Sequence, residues 1–144
     1  MKIMVLNGPN LNLLGSREPD VYGLETLSDL AGELEQLASE LSCEIDFRQT
    51  NSEDELIGWL HEAMETKSSV ILNPAAFTHY SYALRDACAA VTSAGGKIIE
   101  VHISNPHARE EFRQNSVISA VVAGQIAGFG FDSYGLALRQ LAND

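Results

Sequence analysis

Apolar positions along the chain fall into two alternating patterns, short continuous runs and longer stretches spaced by three and four. Lys2–Asn7 (KIMVLN) is a continuous run halted at once by Gly8-Pro9, which reads as a buried strand. A polar, glycine-punctuated loop follows to about Leu24. Leu27, Leu30, Leu34, Leu37 and Leu41 then mark one face of an amphipathic helix, with Thr26 and Asp29 placed as a capping box at its start. Cys43, Ile45 and Phe47 alternate with Glu44, Asp46 and Arg48, the signature of a half-exposed strand at a sheet edge. Ser52 and Glu55 give a second capping-box pattern before a helix that points Leu56, Ile57, Leu60 and Met64 inward.

The second half repeats the alternation. Val70-Ile71-Leu72 is a strand covered on both faces and stopped by Asn73-Pro74. A helix over about Ser81–Val91 buries Leu84, Ala87, Cys88 and Val91, with Gly95-Gly96 beyond its end. Lys97–Ile103 is a fourth strand, stopped by Asn105-Pro106. A short polar helix is expected around Ala108–Gln114, a fifth strand within Ser116–Phe129, and a final helix near Ser133–Ala142. Strands and helices alternating through short loops imply parallel βα units. Five of them predict an α/β, flavodoxin-like, doubly wound five-stranded parallel sheet in the order 2-1-3-4-5. The competing arrangement has one antiparallel edge strand. With 144 residues, one domain over residues 1–144 is expected.

Composition narrows the partners. A formal charge of −11 disfavours nucleic acid and membrane surfaces, whose phosphates need clustered Lys and Arg. No apolar run has the length of a membrane span, and Met1–Leu6 is too short and too lightly charged for a signal peptide. Cys43 and Cys88 stand alone, without a CxxC pair, and read as buried thiols of a cytoplasmic protein. Trp59 reads as core, and His61 and His107 as surface. A small anionic ligand stays compatible, because three of the six arginines (Arg17, Arg109, Arg113) lie in segments that the fold brings together.

Ligands of such sheets bind beyond the carboxyl ends of the strands, where the winding reverses. In this order the crevice lies between strands 1 and 3, next to strand 4. The unusual polar residues follow those strands: Asn7, Asn10, Asn12, Arg17, Glu18 and Tyr22; then Asn73, Thr78 and His79; then Glu100, His102, Ser104, Arg109 and Arg113. Glu100 and His102 are two apart on a strand and share a face, so the carboxylate favours an imidazolium able to act as an acid. A tyrosine beside an arginine loses its proton more readily and can serve as a base. Asn12 and Asn73 offer neutral hydrogen bonds of the kind that stabilise an enolate. The set suits proton abstraction next to a carbonyl. Taken singly, each residue has a plainer reading: Tyr22 as packing, His79 as a helix cap, His102 as a core histidine. Arg109 and Arg113, four apart beside Glu110 and Glu111, read equally as a solvated helix face. There is no GxSxG turn, P-loop or GxGxxG, and no paired histidine spacing for a metal.

Three stretches carry a family resemblance. Asn7-Gly-Pro-Asn-Leu-Asn-Leu-Leu-Gly15 with Arg17-Glu-Pro19 and Tyr22-Gly23, Asn73-Pro-Ala-Ala-Phe-Thr-His79 with Tyr80-Ser81, and Glu100-Val-His-Ile-Ser-Asn105 with His107-Ala-Arg-Glu-Glu-Phe-Arg113 resemble, in order, the motifs of type II 3-dehydroquinate dehydratases. Tyr80 departs from the threonine more usual there. The resemblance implies dehydration of 3-dehydroquinate to 3-dehydroshikimate by anti elimination through an enolate, with no metal and no cofactor. That reaction belongs to the shikimate pathway of aromatic amino acid and chorismate biosynthesis, and is shared with quinate catabolism. It implies Tyr22 as the base, Arg17 as its activator, Asn12 holding a water at the enolate oxygen, and His102 as the acid supported by Glu100. Asn73, His79, Ile103, Ser104 and Arg113 would hold the substrate, and Asp86 would come from a neighbouring subunit. Arg109 would belong to the surface on which a Gly15–Gly23 lid docks, with glycine hinges at both ends. A homo-oligomer, a dodecamer built as a tetramer of trimers, is also implied.

Three other readings compete, one of them a flavin-binding protein, which the lack of an obvious phosphate loop disfavours. A domain of the same fold without the chemistry would serve as a small-ligand binding or regulatory module, and the Asn12, Arg17, Tyr22 and His102 set argues against it. A Schiff-base dehydratase needs a lysine at the site, and Lys2, Lys67 and Lys97 all fall away from the predicted mouth.

Overall fold

A computed structural model describes residues 1–144. Its strands are β1 (Lys2–Asn7), β2 (Glu44–Gln49), β3 (Ser69–Asn73), β4 (Ile98–His102) and β5 (Gly124–Ala127). They form one sheet in the order β2-β1-β3-β4-β5 with every pairing parallel, so the antiparallel alternative does not occur. The helices are α1 (Pro19–Tyr22), α2 (Leu27–Glu40), α3 (Glu53–Thr66), α4 (Tyr82–Ser93) and α5 (Asp132–Ala142).

The twofold period of the strands divides the core. On one face Ile3, Val5, Ile71, Ile99 and Val101 pack against Leu30, Leu34 and Ala38 of α2 and Ala137, Leu138 and Leu141 of α5. On the other, Met4, Leu6, Val70, Leu72 and Ile98 meet Leu56 and Leu60 of α3 and Leu84, Cys88 and Val91 of α4. Strands covered on both sides explain the continuous apolar runs of β1 and β3. β2, at the edge, is half-exposed throughout.

The expected capping box at α2 is reciprocal: Asp29 N–H donates to Thr26 Oγ1 and Thr26 N–H to Asp29 Oδ2. The one expected at α3 is one-sided. Ser52 Oγ accepts from Glu55 N–H, but the Ser52 N–H goes to Thr50 Oγ1 instead of the Glu55 carboxylate. Three further expectations need correction. Ala108–Gln114 is not a helix but two 3₁₀ turns, Pro106–Ala108 and Glu111–Gln114, separated by extended backbone at Arg109 and Glu110. The segment has no apolar stripe to bury, and Pro106 under the Asn105 cap starts a turn that nothing extends. Trp59 is half-buried, and the Arg48 guanidinium lies 5.5 Å from its ring centre. Cys43 is likewise only half-buried, whereas Cys88 is fully buried.

Candidate active site

The carboxyl ends of β1, β3 and β4 open into a cleft, at the place where ligands of such sheets bind. Its floor is held by one buried chain of hydrogen bonds. Asn73 Nδ2 donates to Tyr134 Oη at 2.8 Å, and Tyr134 donates to Asn7 Oδ1 at 2.7 Å. Asn7 Nδ2 continues to the Arg48 carbonyl, and Asn73 Oδ1 accepts from Ala75 N–H. The ends of three strands are thereby tied through one phenol from α5. Gly8 crosses close above Pro74, where an added Cβ would stand 2.7 Å from the carbonyl oxygen.

On β4, Glu100 has no exposure and His102 very little. The Glu100 carboxylate accepts from His102 Nε2 at 2.5 Å, Thr78 Oγ1 at 2.6 Å and Ser119 Oγ at 2.7 Å. Burial pushes this carboxyl up, yet the bond and charge of His102 and the two hydroxyls hold it below the ordinary carboxylate range. With Nε2 committed to Glu100, Nδ1 is the His102 nitrogen left to a ligand. His79 Nδ1 donates to the Asn115 carbonyl at 2.7 Å, and its ring packs edge-on to Phe112. Burial holds this imidazole below its ordinary range, so its Nε2 is an acceptor at neutral pH.

The loop after β1 brings Arg17 and Tyr22 over the cleft. α1, which the sequence pattern did not mark, carries Tyr22 and ends at Gly23 with φ +83°; Gly15, at the other end, has φ +94°. The Arg17 guanidinium lies 4.8 Å from the Tyr22 ring centre and that of Arg109 lies 5.1 Å from it. Arg109 Nη1 also donates to Tyr22 Oη at 2.8 Å and to Ser104 Oγ at 3.2 Å. The extended backbone at Arg109 allows this reach. With Arg113, three guanidiniums line the cleft, so a chain of charge −11 offers an anion a locally cationic seat.

Of the residues singled out from sequence, Arg17, Tyr22, Asn73, His79, His102, Ile103, Ser104, Arg109 and Arg113 line one cleft. Glu100 stands behind His102. Asn12 is exposed on the turn Leu11–Leu13, outside the lining, and its Oδ1 accepts from Gln49 Nε2 at 3.4 Å. Asp86 is on the outer surface of α4 beside Arg85, away from this cleft. No lysine lines the cleft, and no three His, Cys, Asp or Glu side chains are grouped to hold a metal ion. Tyr134 and Ser119 escaped the sequence reading. The only available signal for the first was a lone aromatic in the small-residue start of α5. Nothing distinguished the second from a surface serine.

The motifs and the fold agree with what comparison with known proteins finds. The family model for dehydroquinase class II matches residues 1–142. The 3-dehydroquinate dehydratase of Kineococcus radiotolerans is 56% identical over 99% of this chain and 95% of its own length. That of Bacillus licheniformis is 57% identical over 98% and 95%. The crystal structure of a type II dehydroquinase from Propionibacterium acnes superposes with a TM-score of 0.95 at 50% identity, covering 99% of this chain and 97% of that one. Sequence, fold and a matching family model over nearly the whole length place this chain in the class II dehydroquinase family.

Proposed function

We propose that this protein is a 3-dehydroquinate dehydratase of the shikimate pathway, with residues 1–144 forming one catalytic domain. The observation that carries the chemistry is a phenol with two guanidiniums 4.8 and 5.1 Å from its ring centre, in the same cleft as an imidazole backed by a buried carboxylate. Tyr22, as phenolate, takes a proton from C2, next to the C3 ketone, and the electron pair moves onto the carbonyl oxygen as an enolate. Two guanidiniums oppose the negative charge on the phenol oxygen before transfer. Collapse of the enolate forms the C1–C2 double bond and breaks the C1–O bond. The departing hydroxyl takes the Nδ1 proton of His102 and leaves as water.

The other residues hold and polarise. Arg17 stabilises the transition state, and Asn12 keeps a water against the enolate oxygen. Asn73 and His79 meet substrate hydroxyls, the latter as an acceptor. Ile103 and Ser104 backbone amides with Arg113 take the carboxylate. Asp86 is contributed by a neighbouring copy. Its place supports this: Tyr82 and Asp86 are four apart on α4, hence on one face, and Tyr80 and Tyr82 are both strongly exposed. The assembly is a dodecamer, for which light scattering should return the mass of twelve chains; a monomer mass would overturn it. The compartment is the cytoplasm, in keeping with two free thiols, and cell fractionation tests this.

The direct experiment mixes purified protein with 3-dehydroquinate and follows the ultraviolet absorbance of the conjugated enone product. Absorbance should rise without added metal or cofactor. Substrate recovered unchanged would overturn the enzymatic reading and leave a binding domain.

A further inference from the structure

The hydroxyls around Glu100 form a directed array. Ser116 Oγ accepts from the N–H groups of Ile118 and Ser119 at 3.1 and 3.0 Å, which fixes its oxygen and turns its proton toward Thr78 and Glu100. Thr78 Oγ1 lies 2.7 Å from Ser116 Oγ and donates its own proton to Glu100 Oε2 at 2.6 Å. Ser119 Oγ donates to Glu100 Oε1 at 2.7 Å. Both carboxylate oxygens are thus engaged by hydroxyl protons, while His102 Nε2 meets Oε2. Three hydroxyls from two segments converge on one side chain that has no exposure to solvent. Packing alone does not require this, since apolar side chains of similar size would fill the same space. Ser116 and Ser119 follow Arg113 in the stretch between β4 and β5 and do not themselves line the cleft.

We propose that Ser119, Thr78 and Ser116 are positioning residues of the dehydration. They hold Glu100 as a carboxylate with Oε2 turned to His102 Nε2, and so keep Nδ1 of His102 as the acid that protonates the leaving hydroxyl. This rests on the dehydratase reading above. A hydroxyl that donates to Glu100 lowers its basicity. Without that donor the carboxylate competes for the His102 proton, and a pair held as carboxylic acid and neutral imidazole is a poor acid at Nδ1. The array does not relay protons to Nδ1, because it reaches only the Nε2 side of the ring. The other titratable or charged groups near the pair are His79, Cys88 of α4, and Arg113.

The test compares Ser119→Ala and Thr78→Val with Ser119→Thr, which keeps the hydroxyl. Two readouts are used: kcat and KM against pH, and the nuclear magnetic resonance titration of the histidine ring nitrogens in free enzyme, with His102 assigned by its loss in His102→Gln. Ser119→Ala should lower kcat about tenfold with KM nearly unchanged. It should also raise the titration midpoint of the Glu100–His102 pair by about one pH unit, because losing a donor costs most in the state with the larger net negative charge. Ser119→Thr should recover both. A wild-type midpoint in Ser119→Ala, or equal loss in Ser119→Thr and Ser119→Ala, overturns the proposal. Should Thr78→Val fail to fold, the half-buried Ser119 pair still decides. Absence of turnover in the wild type would count against the dehydratase reading alone, since the titration reads the array without substrate.

Discussion

Tyr22 packs against the edge of the core, and on the proposed mechanism its chemistry depends on two arginines. Its ring is half-buried, and its oxygen accepts from Arg109. Tyr22→Phe removes that oxygen and little else. Turnover should fall by about 10²–10⁴-fold or more, as for loss of a general base, while the thermal midpoint stays within a few degrees. Near-normal turnover in this variant would remove Tyr22 from its role. At this scale much of the site was legible, because Arg17, Tyr22, Asn73, His79 and His102 are chemically conspicuous where strands end. Tyr134, Ser119 and the direct grip of Arg109 on the phenol were not. Each acts on a partner distant in sequence, 61 and 127 residues for the two bonds of Tyr134 and 87 for Arg109, and no periodicity encodes such a pairing.

Elements that bury an apolar face announced themselves, and those that serve only polar geometry did not. The alternating inward faces of β1 and the leucine stripe of α2 appear where the pattern puts them. Ala108–Gln114 has no such stripe, and in place of the short polar helix expected there two 3₁₀ turns flank an extended Arg109. α1 is four residues long, too short for a 3.6-residue period to show. The closest backbone approach near the cleft is at Gly8, where a Cβ would meet Pro74 backbone atoms at 2.7 and 3.0 Å. Backbone cannot swing aside as a side-chain tip can, so the ends of β1 and β3 must part to admit it. Gly8→Ala should therefore lower the unfolding midpoint in urea and raise KM through the displaced Asn73. Wild-type values for both would show that the approach is tolerant.

For the molecule as a whole, stability should have a plateau bounded by buried titratable groups. His79 and Glu100 both sit below their ordinary ranges in the fold. As pH falls below about 6.5 the unfolded chain takes up the His79 proton first, and below about 4.5 the Glu100 proton, so stability declines on the acid side. The alkaline side has the opposite sign. Burial pushes the Cys88 thiol up to about 12 and the Tyr134 phenol up as well. Their contribution is complete below about pH 9 and is lost as pH rises, because the unfolded chain releases those protons first. Urea midpoints measured at fixed protein concentration should be highest between roughly pH 7 and 9. Cys88→Ala should soften the alkaline decline, and an unchanged decline would assign it to other groups.

Arg109 ties the Gly15–Gly23 loop to Ser104 by bonding the Tyr22 oxygen and the serine hydroxyl at once. On the proposed mechanism the base therefore sits on the same loop that covers the site. A hydrogen lifted from C2 by Tyr22 would be carried on that loop, shut away from bulk water until the Arg109 latch releases. Isotopic label at C2 should consequently wash out of recovered substrate no faster than the loop opens, and Arg109→Ala should hasten the exchange relative to net turnover.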